Sequence, residues 1–508
     1  MRQKNDTEGL GVFGRAAGLM WWLTNPRWRL VVVCLVVLVA AAGLFVYNGS
    51  FREEPAPYFQ SDEDHFLYGS VGTEAEQGIP YWIWLVLPRI FPEYLHGPGG
   101  YASIGVLSRD GRHEMPIGLS KVTIGYPRVG MNCAMCHAAS FRATPDEVPT
   151  IYPAAASHQT GAQEYVRFLI ACANDPRFTA GTILGEIAKN TRLSLVDRVL
   201  YRFAIIPGAR RAILRLQDDE KWMLTRPDWG RGRSDPFNPV KFSVLRQPAD
   251  DTIGTADTMP LWNLHRREGM SFDRDGLNTS LREVVQSSAI GIGAETGWID
   301  RDNANWDSTD PKAMSSLRRV MNYTGDLKPP KYPLPIDAGL AAAGAVTYES
   351  ACAGCHKPGG ARTGSVIPLA EIGTDGHRLD AWTSGAAAAF NAYGEGHAWK
   401  FSTFQKTGGY TAVPLDGVWL TAPYLHNGSV PTLADLLEPV AARPKKFWSG
   451  YDVYDSARLG FVTQGPEAER VGTPLDVTLP GNSNAGHTYG TELSPAEKRA
   501  LLEYLKTL

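Results

Sequence analysis

The chain has 508 residues, enough for roughly two to four domains, and its 50 basic residues against 53 acidic ones leave no argument for a nucleic-acid partner. An apolar fraction of 44% supplies a large core, while 52 Gly and 35 Pro forecast many loops and turns. Of the six cysteines, four fall in two short motifs, so no disulfide framework is available.

Residues 1–29 hold Arg2, Lys4, Arg15, Arg27 and Arg29 and read as a cytoplasmic segment, with Trp21, Trp22 and Trp28 suited to a membrane interface. Residues 30–47 are apolar and uncharged. As a helix they rise about 27 Å, close to the hydrocarbon thickness of a bilayer. Glu53, Glu54 and Asp62 follow, so the charge asymmetry keeps the N-terminus inside and sends the rest of the chain out. The competing reading is a cleaved signal peptide, since "AAAG" at 40–43 offers small residues. Cys34 in this run, and Cys172 further on, read as buried small apolar residues. The aromatic stretch 79–95, broken by prolines, reads as core, with cover for a site or contact with the membrane interface as the alternatives.

"MNCAMCHAAS" brings Cys133, Cys136 and His137 together, and "ACAGCHKPGG" repeats the pattern with Cys352, Cys355 and His356. On a helical turn, spacings of three and four put all three side chains on one face. Two thiols there can bond to the vinyl groups of one porphyrin while the histidine reaches the iron, which is the C-x-x-C-H signature of c-type haem. Zinc would need the four thiols in neighbouring pairs, and a redox pair a βαβ context; neither is present. The expectation is two covalently bound haem c groups with His137 and His356 as iron ligands.

Between the motifs, residues 192–217 mix apolar residues and arginines at helical spacing and read either as a solvated helical face or as a helix lying on anionic lipid. "MPLWNLHRREGMSFDRDGLNTSLREVV", from Met259, is echoed by "VPLDGVWLTAPYLHNGSVPTLADLLEP", from Val413. The match pairs Asp275–Gly276 with Asn427–Gly428 and Arg274 with His426, and ends in Ser/Thr-Leu-x-acid. His137 to Gly276 is 139 residues (276 − 137) but His356 to Gly428 only 72 (428 − 356). The excess of 67 residues (139 − 72) implies an insertion at about 158–255. A proline-rich stretch at 326–336 reads as a linker. Asp337 then caps a helix running to the second motif, and Ser494, Pro495 and Glu497 open a final helix with a capping box. The domains expected are a cytoplasmic segment 1–29, an anchor 30–47, an N-terminal haem domain 48–325, the linker, and a C-terminal cytochrome c domain 337–508.

These motifs, with "TAPYLHNGSVPTLADLL", resemble the bacterial di-haem cytochrome c peroxidase and MauG superfamily; "GNSNAGHTYG" and the inserted first half lean to its rubber-oxygenase branch. The resemblance covers most of residues 81–508. It implies a mainly α, loop-rich fold with two cytochrome c-like domains about a pseudo-twofold axis, one haem reactive and the other six-coordinate. Haem attachment in such proteins occurs outside the cytoplasm, which agrees with the charge asymmetry at the anchor, so the expectation is a single-pass protein of the bacterial inner membrane with its haem domains in the periplasm. Its first and last C-terminal-domain helices should cross closely, with Gly344 and Tyr504 as the contact.

Relatives commonly place Met on the C-terminal haem, but here the last methionine is Met321, before the second motif. Of His377, His397, His426 and His487, the resemblance favours His487 as that haem's second ligand, and ligation by two histidines marks the lower-potential type. The N-terminal haem is then the reactive one. Glu295, at the position of the peroxidase carboxylate, is the candidate acid–base, and Ala289 to Ala294 are small enough to line an apolar pocket. Alternatively, Glu295 is an exposed loop residue. Arg274 stands where relatives have a Trp between the haems; Trp262 and Trp298 are substitutes or core residues, and Arg274 suits a haem propionate. No acidic calcium-loop pattern occurs.

Three functions follow: a peroxidase fed by a small electron-donor protein or the respiratory chain, an enzyme using O₂ or peroxide on an apolar organic substrate, and a non-catalytic membrane-tethered electron carrier.

Overall fold

The computed structural model describes residues 26–109, 111 and 113–508; Arg2, Lys4, Arg15, Trp21 and Trp22 lie outside the described residues. The apolar run belongs to one helix, Pro26–Phe51. Its segment Pro26–Phe45 has a mean hydropathy of 2.5 and buries nothing against the protein. That is the length and composition of a membrane anchor or a signal sequence. Cys34 lies exposed on it, against the expectation of a buried residue, so any apolar surroundings for this thiol come from outside the chain. Cys172 is a core residue, as expected.

The described residues fall into two compact units. One takes in the chain up to Pro55 with 123–127, and Glu53 bridges Ile124 within it. The other comprises residues 56–122 and 128–508 and holds both cysteine motifs. It is mainly helical, and its strands are short.

Two large apolar clusters fill this second unit. One gathers Ala134, Leu281, Ala289 and Ala294 around the first motif, and the other gathers Tyr348, Ala353, Trp419 and Leu501 around the second. The partition between them is the hairpin Ala138–Phe141 with Thr150–Pro153. Successive strand residues face opposite sides. Ala138 therefore joins the first cluster and Ala139 the second, and Ala154 and Ala155 divide in the same way. The aromatic stretch is core: the helix Tyr81–Ile90 buries Tyr81, Ile83, Trp84, Val86 and Leu87, and Trp84 stacks on Tyr101 at 4.6 Å between ring centres.

The sequence repeat has a structural counterpart in each half. Gly276 and Gly428 both take left-handed backbone, at φ 71° and 64°, which glycine adopts without strain. Ser280 and Thr432 then cap the next helices, Leu281–Gly291 and Leu433–Leu436, by accepting from the N–H groups of Glu283 and Asp435. The two halves are fastened by Glu283, whose carboxylate accepts from the backbone N–H and hydroxyl of both Ser402 and Thr403 and from Asn278.

Around the second motif, Asp337 caps the helix Ala338–Ala351, its Oδ1 accepting from Gly339 and Leu340 N–H at 2.9 Å. The final helix, Pro495–Leu505, has the expected capping box. The two helices cross at Gly344, where an added Cβ would lie 1.9 Å from the Ala500 carbonyl oxygen. The partner of Gly344 is thus the backbone at Ala500 and not Tyr504; Tyr504 packs one turn along, on Tyr348 at 5.0 Å.

Candidate haem centres

The first motif begins on a 3-10 turn, Cys133–Met135, rather than an α-helix. Asn132 shapes it: its Oδ1 accepts from Ala134 N–H, and its Nδ2 donates to the Leu67 and Gly69 carbonyls. Gly118 lets the neighbouring chain lie against Met135, where a Cβ would come within 2.3 Å of backbone. The second motif sits on the short helix Ala353–His356. In both, the histidine N–H closes on the first cysteine: His137 onto Cys133 at 3.1 Å, His356 onto Cys352 at 3.0 Å.

The imidazoles are oriented alike. His137 Nδ1 lies 2.7 Å from the Met259 carbonyl, and His356 Nδ1 lies 2.7 Å from the Val413 carbonyl. A carbonyl can only accept, so Nδ1 carries the proton and Nε2 is left with a free lone pair, the form that ligates a metal. Burial pushes His137 down to about 4 and lowers His356 as well, which keeps both rings neutral. Met259 and Val413 are the matching first residues of the sequence repeat, each just before Pro-Leu. The repeat therefore encodes the residue that orients each histidine. Burial also pushes the thiols up, Cys133 to about 12 and Cys136 and Cys352 to about 11, so they persist as thiols rather than thiolates.

The opposite side of His356 is occupied by His487, with ring centres 6.2 Å apart. Two imidazole–metal bonds of about 2 Å and two ring radii sum to roughly this distance, so one iron fits between them. The loop bearing His487 is held firmly. Arg443, 2% exposed, donates to the carbonyls of Leu436, Glu438, Asn484, Gly486 and His487. His487 N–H donates to Ile372 O at 2.8 Å. Gly486 packs so closely on Gly373 that a Cβ would lie 2.3 Å from its carbonyl carbon. His487 itself takes φ 44°, an uncommon conformation for a non-glycine residue that clusters at functional sites. Burial, with His356 adding to it, pushes this imidazole down to about 4. The other histidines are engaged elsewhere: His377 with Asp375, His397 with Asp300, and His426 stacked on Tyr410 at 3.9 Å.

His137 differs: among the described residues no aromatic or imidazole ring packs against its ring, whereas His356 has His487. The turn that carries it belongs to the first apolar cluster, which also holds Leu264, Leu277, Ala289, Ile290 and Ala294. Glu295 lies at the head of the helix Thr296–Ala304 as its N-cap residue, half-buried, its N–H reaching Gly72 O at 3.4 Å. Trp298 packs over Gly72 on the same turn. A second carboxylate, which the sequence did not single out, is Glu74. It is 2% exposed and accepts from the Ser70 and Ser120 hydroxyls at 2.8 and 2.5 Å.

Arg274 bridges the two anchors. Its Nη2 donates to Asp257 (3.1 Å) and to Thr258 O (2.8 Å), one residue before Met259. Its carbonyl accepts from Thr411 N–H, two residues before Val413. Arg378 approaches the same turn through Asp275 at 3.3 Å and lies over the Phe237 ring. Arg274 Nε, and Nε and Nη1 of Arg378, are buried with no partner in the protein. Cationic N–H groups short of acceptors, on an arginine bonded beside both anchoring segments and on its neighbour at the same turn, suit the propionate carboxylates of haem. Trp262 is core, its Nε1 donating to Asp416 O at 2.7 Å. Among the described residues no cluster of His, Cys, Asp and Glu forms a separate metal site.

Comparison with known proteins bears on this geometry. A family model described as "RoxA-like, cytochrome c-like" matches residues 409–449, the stretch holding Val413, His426 and Gly428. The chain is 32% identical over 468 residues to "Uncharacterized protein y4iJ" of Sinorhizobium fredii, covering 75% of this chain and 77% of that one. It is also 31% identical over 330 residues to "Uncharacterized protein y4iM" of the same organism, covering 56% and 71%.

Proposed function

We infer function from one premise: the chain belongs to the family of the Sinorhizobium fredii protein y4iJ, and it carries a RoxA-like cytochrome c segment. We propose that it is a membrane-anchored di-haem c-type oxidoreductase with its haem domains in the periplasm, arranged as two cytochrome c-like halves about a pseudo-twofold axis. Its N-terminal haem reacts with peroxide or O₂, and its C-terminal haem passes electrons from a small donor protein or the respiratory chain. The observation that carries this reading is an asymmetry. His137 and His356 are presented alike by backbone carbonyls, yet among the described residues only the His356 ring faces a second imidazole.

In this reading Cys133, Cys136 and His137 hold one haem, and Cys352, Cys355, His356 and His487 hold the other. Bound haem supplies an iron that changes oxidation state and, where one side is open, takes up an oxidant. The residues of the chain do the rest. Met259 and Val413 fix the tautomers that bind. Arg443 holds His487 in place, which closes the second site. Arg274 and Arg378 offer N–H groups to propionates. Ala289, Ile290 and Ala294 keep bulk water from the first site and leave room for an apolar substrate. Glu295, at the edge of that lining, holds and delivers the proton that an oxygen substrate needs as its O–O bond opens.

The test is to mix the reduced protein with hydrogen peroxide, and separately with O₂, and follow haem oxidation. Oxidation by either is expected, and Glu295→Gln should slow the peroxide reaction about 10²-fold with haem content unchanged. If neither oxidant reacts, the chain is an electron carrier. If the variant reacts at the parent rate, Glu295 is not the proton donor.

A further inference from the structure

The helical stretch 195–219 has two apolar faces, and only one is used by the protein. It runs as the helix Leu195–Leu200, a π turn Tyr201–Ile205 and the helix Ile206–Asp219. Tyr201, Ile205, Ile206, Ala209 and Ile213 are buried. On the other side Leu195, Val199 and Phe203 recur every four residues and are 78%, 50% and 72% exposed, with Val196 beside them at 43%. Four-residue spacing aligns side chains along one helix face, so these form a stripe in water. Large exposed apolar stripes on soluble surfaces mark contacts.

The charge around the stripe indicates the partner. Residues 191–217 contain six arginines and one acid, Asp197. Arg198 and Arg202 run alongside the stripe at the same four-residue spacing, and Arg192 precedes it. All three are exposed, and none enters an ion pair among the described residues. The Asp197 carboxylate is engaged by the Ser194 hydroxyl at 2.7 Å. An apolar stripe flanked by unpaired arginines, on a chain carrying an apolar helix long enough to span a bilayer, matches an anionic membrane interface. The stripe also lies within 158–255, where the first half is expected to carry its insertion.

We propose that residues 195–203 dock onto the anionic lipid surface of the membrane that holds the N-terminal helix, with Leu195, Val199 and Phe203 entering the headgroup region and Arg198 and Arg202 meeting lipid phosphates. This rests on the membrane part of the functional reading and is independent of the haem chemistry.

The test uses the full chain in lipid nanodiscs of phosphatidylcholine with or without phosphatidylglycerol, and in detergent. Hydroxyl-radical labelling of Leu195 and Phe203 is read by mass spectrometry. The expected result is labelling about fivefold lower in phosphatidylglycerol discs than in detergent, with the loss reversed in the double variant Arg198→Gln/Arg202→Gln. Equal labelling in discs and detergent overturns the proposal. Protection that appears only in discs carrying two chains also overturns it, in favour of a second copy. Entry of the chain into discs is scored separately by co-elution. If the chain stays out, the anchor reading fails, and labelling with vesicles of the two compositions then decides the docking face by the same criteria.

Discussion

At His137 and at His356 the near side is built in the same way. A cysteine turn closes on itself, and a carbonyl from the start of a repeated segment fixes the ring with Nε2 free. The far sides were built differently. The ring of His356 faces His487, on a loop clamped by one buried arginine; the turn bearing His137 joins a large apolar cluster, and among the described residues no second imidazole packs against its ring. In the proposed di-haem reading, the repeated segment preserves cofactor attachment while one loop decides whether a metal site is closed or open. Closure suits electron transfer, because nothing has to bind, and an open side suits reaction.

The sharpest way to break this comparison is to make the second site like the first. His487→Ala should convert the second haem fully from low-spin to high-spin while the first keeps its signal; an unchanged spectrum would show that His487 is not the ligand. Arg443→Met attacks the same closure indirectly. Five carbonyls lose their donor, so stability should fall by about 2–4 kcal/mol in denaturant unfolding, with a mixed spin state at the second haem only. A parent-like variant would mean the loop holds itself.

His158 sharpens the comparison from the other side. Ser157 N–H donates to the Cys136 carbonyl, and His158 is 1% exposed, with both ring nitrogens unpartnered and its ring stacked on Phe461 at 3.5 Å. Burial pushes it down to about 3, below its unfolded value of about 6.5. Below pH 6.5 the unfolded chain therefore binds a proton that the folded chain refuses, and stability falls as pH drops towards 3. The loss from this residue is on the order of 3 kcal/mol at pH 4. His158→Leu should flatten the stability profile between pH 6.5 and 4, and an unchanged slope would contradict that. The smallest effect belongs to Gly344→Val. Its side chain would press on the Ala500 carbonyl, costing about 1–3 kcal/mol in thermal or denaturant unfolding, with the first haem's spectrum untouched.

What could be read from the sequence was local. C-x-x-C-H, the caps at Asp337 and Ser494, and the D/N-Gly turns depend on neighbours a few residues apart, so spacing reveals them. The repeat also held its meaning in the sequence, though not the fact that its first residue supplies the anchoring carbonyl. The rest depends on contacts distant in sequence. Arg443 looks like any loop arginine until its five carbonyls come together. Glu74 looks like an ordinary surface glutamate until Ser70 and Ser120 enclose it. Gly344 was recognisable as a close-packing residue, but the register of a helix crossing is set by the whole interface, and its partner lay one turn from Tyr504. The exposure of Cys34 is not legible in the sequence because an apolar run implies burial without saying in what.

The central claim is one closed site and one open site, and carbon monoxide reads it directly. Titration of the dithionite-reduced protein should shift the spectrum of one haem of the two, and in His487→Ala of both. Binding to neither haem, or to both in the parent protein, would contradict the account.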